Sequence, residues 1–151
     1  MNHQLPQVAL PAANVAIAIL YQDNKYLMQL RDNIPTIDAP GCWVIFGGHI
    51  EPHETPEVGI KREILEEIGY ELADVVKFGV YTHEKFIEHV FHAPLLVKLD
   101  QLVLNEGWDM GLLTVDNIHS GRCYSAVADE VRPLGTNHQR IMLDFITASI
   151  N

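Results

Sequence analysis

The sequence predicts an α/β domain, a mixed sheet with helices on both sides. Three observations carry this. Short runs rich in Val, Ile and Leu, each of strand length and closed by a turn signal, recur along the chain. Two helical patterns, over 56–68 and 137–150, stand among and after them. A length of 151 residues, 48% apolar and 20% charged, suits one domain over residues 1–151, and no repeat or linker divides it.

Residues 1–12 carry Pro6 and Pro11 and are expected as an extended lead-in. Asn14–Tyr21 (NVAIAILY) reads as a buried strand, Gln22-Asp23-Asn24 as a turn, and Lys25–Leu30 as the returning strand. Arg31–Cys42 is a loop punctuated by Pro35, Pro40 and Gly41, long enough to suggest a functional role. Trp43–Phe46 is a short strand that leads into Gly47-Gly48. After the first helix, strands are expected over Val76–Tyr81 and Glu88–Leu99, with His83-Glu84-Lys85 as the turn between them. Pro94 places the second at an edge or a bulge. Gly111–Val115 reads as a further strand and Asp116–His119 as a helical turn. Ser120–Thr136 has no clear period, and one helical turn or a flexible flap is expected there. The last helix, Asn137–Ile150, carries Ile141, Phe145 and Ile146 on one face.

The stretch Gly48–Tyr70 (GHIEPHETPEVGIKREILEEIGY) organises the chain. Thr55 suits the N-cap, Pro56 the first helical position and Gly69 the stop. Ile60, Ile64 and Ile68 form an apolar stripe, and Glu63, Glu66 and Glu67 crowd a neighbouring face. Like charges at that spacing repel. Taken alone, the triple is either a solvated acidic face or half of a shell for a hard divalent cation, which takes oxygen ligands.

The whole stretch resembles the signature of the Nudix hydrolases, GX5EX7REUXEEXGU with U a bulky aliphatic residue. Gly48, Glu54, Arg62, Glu63, Ile64, Glu66, Glu67 and Gly69 fall in register. Tyr70 replaces the final aliphatic residue, a place that only packs under the helix end. Phe46-Gly47-Gly48 stands where Pro-Gly-Gly is common in the family. The resemblance implies an α/β/α sandwich and Mg²⁺- or Mn²⁺-assisted hydrolysis of a nucleoside diphosphate linked to a further group. Such ions neutralise an anhydride's charge, orient its oxygens and acidify a water.

By the same resemblance, Glu63 and Glu67 are the central metal ligands, Glu66 a further one, and the Gly47 carbonyl part of the shell. Arg62 cannot ligate a cation and is expected to brace Glu54. For the general base, Glu106 is the first candidate because its loop precedes the GLLTV strand, where related enzymes place a glutamate that also ligates metal. Glu84, Glu88 and Asp109 are its rivals. Arg31 stands where a basic residue meets the substrate phosphates, and Phe46 or Trp43 could stack on a base, with Tyr81, His83 and Phe86 lining its pocket.

Charge and composition set further bounds. A net charge of −10 opposes long nucleic acid as partner but leaves a small phosphate ester open, because metal ions invert the local field. The longest apolar segment is interrupted by Pro11 and Asn14 and lacks a basic lead, so neither a membrane span nor a signal peptide is expected. Two cysteines make no disulfide framework, and a reducing cytoplasm is the simplest home. The eight histidines are scattered along the chain, and each is expected to be a surface or core residue. A nucleoside triphosphate, ordinary or modified, is the first expected substrate, as in MutT-type enzymes; a nucleotide sugar or ADP-ribose is the alternative. A non-catalytic nucleotide-binding module and an isomerase using Cys42 are the other classes. A homodimer is compatible with the family.

Overall fold

Strand β1 (Ala13–Gln22) runs through the middle of the sheet, and its residues Val15–Leu20 are all buried. Burial of consecutive residues means that both faces are covered. The computed structural model describes residues 11–150; the lead-in expected over 1–12 lies, up to residue 10, outside them. On one edge β1 pairs in parallel with β6 (Phe86–Pro94), from Ala13 opposite Phe86 to Tyr21 opposite Pro94. The hairpin partner of β6 is β5 (Val76–Thr82), turned at 83–85, where the His83 N–H donates to the Phe86 carbonyl.

The other edge of β1 is shared. Asp23 and Asn24, both at positive φ, turn the chain into β2 (Lys25–Leu30), but β1 and β2 pair only at Tyr21–Tyr26 and Gln22–Lys25. Beyond that they part, and the segment 43–49 fills the gap in two pieces. Its first piece, β3 (Trp43–Val44), pairs with β2; its second, β4 (Phe46–His49), pairs with β1. Ile45 is the residue at the change of partner. The outer edge of β2 takes β7 (Asp109–Thr114).

Helix α1 (Pro56–Ile68) covers one face. Thr55 Oγ1 accepts from the Val58 N–H, and Gly69 ends the helix in the left-handed region at φ 65°. Ile60, Ile64 and Ile68 are buried against Leu27, Phe46 and Phe91. The opposite face is covered by α3 (Thr136–Ile150), whose Ile141, Met142, Phe145 and Ile146 pack on Ile17, Ile19 and Leu113. Between β7 and α3 lie the short α2 (Val115–Ser120), capped by Thr114, and the hairpin of β8 (Arg122–Ser125) with β9 (Glu130–Pro133). The layers are therefore helix, mixed sheet, helix, as expected.

The differences from the sequence reading have physical causes. The strand expected over Glu88–Leu99 begins and ends earlier. Its Leu95 N–H donates to Tyr21, so the N–H that Pro94 lacks would face the side of β5, which begins only opposite His92. Pro94 thus ends a central strand instead of marking an edge; the bulge falls on β5, between Lys77 and Gly79. The least readable segment is the β8–β9 hairpin, neither a helical turn nor a flap. Among the described residues no helix is long and apolar enough to cross a membrane.

Ile64 sits at the centre of the α1 contact and is fully buried. Replacing Ile64 with Ala should cost about 2–5 kcal/mol by lost burial and the cavity left behind, measured by equilibrium urea unfolding. A loss under about 1 kcal/mol, the range of a surface change, would show that α1 is not held by this stripe.

Candidate active site

The isoleucine stripe fixes the rotation of α1, and that rotation aims its acids at the glycine strand. Gly48 stands against Glu63: a Cβ there would lie 2.5 Å from the Glu63 carboxylate. At Gly47 a Cβ would collide with the Ala16 carbonyl oxygen and with Ile17. Both glycines are needed for the close approach of backbone to neighbour, at Gly48 to the Glu63 carboxylate and at Gly47 to β1.

Arg62 organises the other side. Its Nε donates to Glu54 Oε2 at 2.7 Å and its Nη2 to Glu54 Oε1 at 2.9 Å, a bidentate fork. The same guanidinium donates to the His49 carbonyl at 3.0 Å, to Glu63 Oε1 at 3.0 Å and to Glu66 Oε2 at 3.3 Å. The Glu51 N–H donates to Glu54 as well. Hydrogen bonds from Arg62 and then from Glu51 pull the Glu54 carboxyl down to about 2. The loop before α1 is thereby fastened to the helix.

A second loop reaches the same place from the C-terminal end of α1. The Val103 N–H donates to the Ile68 carbonyl, the Asn105 N–H to the Glu67 carbonyl and Asn105 Nδ2 to the Glu66 carbonyl. These are the carbonyls that a helix end leaves without partners. The docking sets Glu106 within electrostatic reach of Glu67. Glu67 itself is only 8% exposed, and Gln29 Nε2 donates to its Oε2 at 3.2 Å. Burial first, then the charge of Glu63 and hydrogen bonding to it, then the charge of Glu106, push the Glu67 carboxyl far above the usual range; Gln29 opposes them.

Among the described residues no three acidic, imidazole or thiol groups close around a point as a finished metal cage. The donor chemistry nonetheless fits a hard divalent ion. Glu63, Glu67 and Glu106 are oxygen donors whose mutual repulsion a cation would relieve, beside a glycine backbone that admits close approach.

The comparisons with known proteins bear on this loop-helix directly. The NUDIX domain family model matches residues 10–118. The chain belongs to the Nudix family. It is 36% identical over 77 residues to a provisionally assigned 8-oxo-dGTP diphosphatase of Bacillus subtilis (strain 168), a match covering 50% of this chain and 48% of that protein. It is 33% identical over 86 residues to the CTP pyrophosphohydrolase of Escherichia coli (strain K12), covering 53% and 61%. These matches span about half the length of the curated relatives. The fold matches the crystal structure of a MutT NUDIX hydrolase from Burkholderia pseudomallei with a TM-score of 0.70 at 23% identity, over 89% of this chain and 98% of that one.

Within this Nudix domain the expected site residues divide. Arg62 bonds Glu63 and Glu66, Glu63 abuts Gly48 next to Gly47, and Glu67 lies within electrostatic reach of Glu63 and Glu106. Arg31 follows β2 directly, its N–H donating to the Cys42 carbonyl. Phe46 is a correction: it is 0% exposed beneath α1, because its side chain alternates to the α1 face of the sheet, and no base can stack on it. Trp43 is buried on the other face and donates to the Cys123 carbonyl.

The rivals of Glu106 are engaged elsewhere. Asp109 accepts from Ser125 Oγ at 2.6 Å, and Glu84 lies in the exposed turn between β5 and β6. Glu88 points to the α3 face, 2.7 Å from both His83 and His138. Burial alone would raise its carboxyl; the bonds from His138 and then His83 outweigh that and leave it below the usual range. Tyr81 bonds Asp144, and Phe86 lies edge-on to His83. Burial raises the Cys42 thiol despite nearby Arg132, which opposes a nucleophilic role. Gln29 and Asn105 were not read from the sequence. Asn105 carried one usable signal, an amide next to Glu106 in a loop that returns to a helix end.

The depressed Glu54 carboxyl gives a pH test with a definite sign. A carboxylate lower in the folded than the unfolded chain adds stability above its unfolded value and loses it as pH falls toward the folded one. The melting temperature of the native chain should exceed that of Glu54→Gln most at pH 7, and the gap should close between about pH 4.5 and 2. A gap constant across that window would show that the Arg62 fork does not stabilise the ionised form.

Proposed function

We propose that the chain hydrolyses a nucleoside diphosphate linked to another group, with an ordinary or modified nucleoside triphosphate as the leading substrate and a mononucleotide and pyrophosphate as products. One observation carries the reading: buried Glu67 lies within electrostatic reach of Glu63, which abuts Gly48, and of Glu106 on a loop tied to the helix end, three carboxylates whose mutual repulsion a bound cation would relieve. The names of the relatives that act on 8-oxo-dGTP and CTP support the substrate class.

In this reading Glu63 and Glu67, with Glu66, Glu106 and the Gly47 carbonyl, hold Mg²⁺ or Mn²⁺. When bound, the ion neutralises anhydride charge and acidifies water. Arg62 orients Glu63 and Glu66 while bracing Glu54. Arg31 offers a guanidinium to a phosphate of the substrate. A carboxylate oxygen of Glu106 takes the proton of the attacking water as the water oxygen bonds to the α-phosphorus, and the bond between that phosphorus and the bridging oxygen breaks, its electron pair leaving with pyrophosphate.

The test is a hydrolysis panel with Mg²⁺ over nucleoside triphosphates, nucleotide sugars, ADP-ribose and dinucleoside polyphosphates, with an EDTA control. Metal-dependent release of pyrophosphate and mononucleotide from a triphosphate is the expected outcome, and Glu67→Gln should lower that rate by at least about a hundredfold. Turnover of sugars or ADP-ribose alone would replace the substrate class. Silence of folded, metal-bound protein would favour a non-catalytic binding module. Glu106→Gln should lower kcat by about 10²–10⁴; an unchanged kcat would remove Glu106 from the chemistry.

A further inference from the structure

We infer that His138 is a positioning residue for the metal site, holding the backbone of Ile45 from the opposite face of the sheet and so setting where the Gly47 carbonyl stands. This rests on the proposed role of that carbonyl as a ligand.

The segment 43–49 belongs to two ladders. Trp43 and Val44 pair with β2, Phe46 to His49 pair with β1, and Ile45 lies between. Ile45 is 2% exposed, so a lost hydrogen bond to its N–H would not be replaced by bulk water. His138 supplies that bond: the Ile45 N–H donates to His138 Nδ1 at 2.9 Å.

An Nδ1 that accepts carries no proton, so the proton of the neutral ring is on Nε2. That nitrogen lies 2.7 Å from Glu88 Oε2 and donates to it. Glu88 is 3% exposed, and its other oxygen is 2.7 Å from His83 Nε2. The buried carboxylate therefore fixes both tautomer and ring orientation, in the way that a ligand's outer partners are fixed in metal sites. Here the imidazole grips a strand instead of an ion. Its own place is set by α3, whose next turns are buried in the core.

Two residues beyond Ile45 the chain reaches Gly47, pressed on Ala16, and then Gly48, pressed on Glu63. With so little free space, a shift of Ile45 is carried along the strand to the glycines. Loss of His138 should thus displace a backbone oxygen without removing any acidic side chain.

The measurements are Mn²⁺ affinity of the metal-free protein, by calorimetry, and the ¹H–¹⁵N ring spectrum of His138. The native ring should show the Nε2–H tautomer. His138→Gln can accept from Ile45 and donate to Glu88, and it should keep Mn²⁺ affinity within about twofold. His138→Leu should weaken it about tenfold or more while keeping a cooperative melt. If the leucine variant does not fold, His138→Asn, too short to span both partners, takes its place with the same expectation. An Nδ1–H tautomer, or a folded leucine or asparagine variant with native affinity, would overturn the inference and leave the hydrolase reading intact. Native protein that binds no Mn²⁺ would overturn both.

Discussion

The packing of three isoleucines under α1 is the constraint on which the site depends. Ile60, Ile64 and Ile68 can be buried together at only one rotation of the helix. That rotation turns Glu63 toward Gly48 and buries most of Glu67. Each buried isoleucine contributes about 1.5–3 kcal/mol, whereas an exposed like-charge pair one turn apart costs only about 0.2–0.5 kcal/mol. Apolar burial therefore wins over surface repulsion. The buried Glu67 is a larger charge on the helix, and with Glu63 and Glu106 nearby it makes this acidic face electrostatically frustrated.

Two fasteners keep that frustrated surface in shape. The fork from Arg62 to Glu54 ties the loop before the helix to its middle. Asn105 and Val103 tie the loop after β6 to its last carbonyls. The second fastener joins the Glu106 loop to α1, because the groups it satisfies are backbone groups that α1 would otherwise leave open. Glu106 reaches Glu67 by helix capping, a general device of chain geometry, and not through any feature peculiar to glutamate.

How much of this was legible varied with the range of the forces involved. The caps and stripe of α1 are local, and the sequence placed Thr55, Pro56, Gly69 and the three isoleucines where the structure has them. The hairpin turn at Asp23-Asn24 was equally plain. The β8–β9 hairpin was not, because its strands are only Arg122–Ser125 and Glu130–Pro133 and mix exposed apolar with charged residues. Phe46 was misjudged because closeness to the glycines in sequence says nothing about the sheet face on which a side chain emerges. The His83–Glu88–His138 cluster was invisible for a related reason: His138 lies 50 residues beyond Glu88, on a helix that only the fold brings to it.

The parallel pairing of β1 with β6 has a consequence for the making of the protein. Ala13 waits for Phe86, and Tyr21 for Pro94, so one edge of β1 stays open until the β6 segment has been made. The glycine strand and α1 leave the ribosome in that interval, whereas Asn105 and Glu106 follow it. Pairing between such distant segments is slow. A half-made chain therefore exposes the apolar run Val15–Leu20 with one edge open, a state prone to aggregation until β6 emerges.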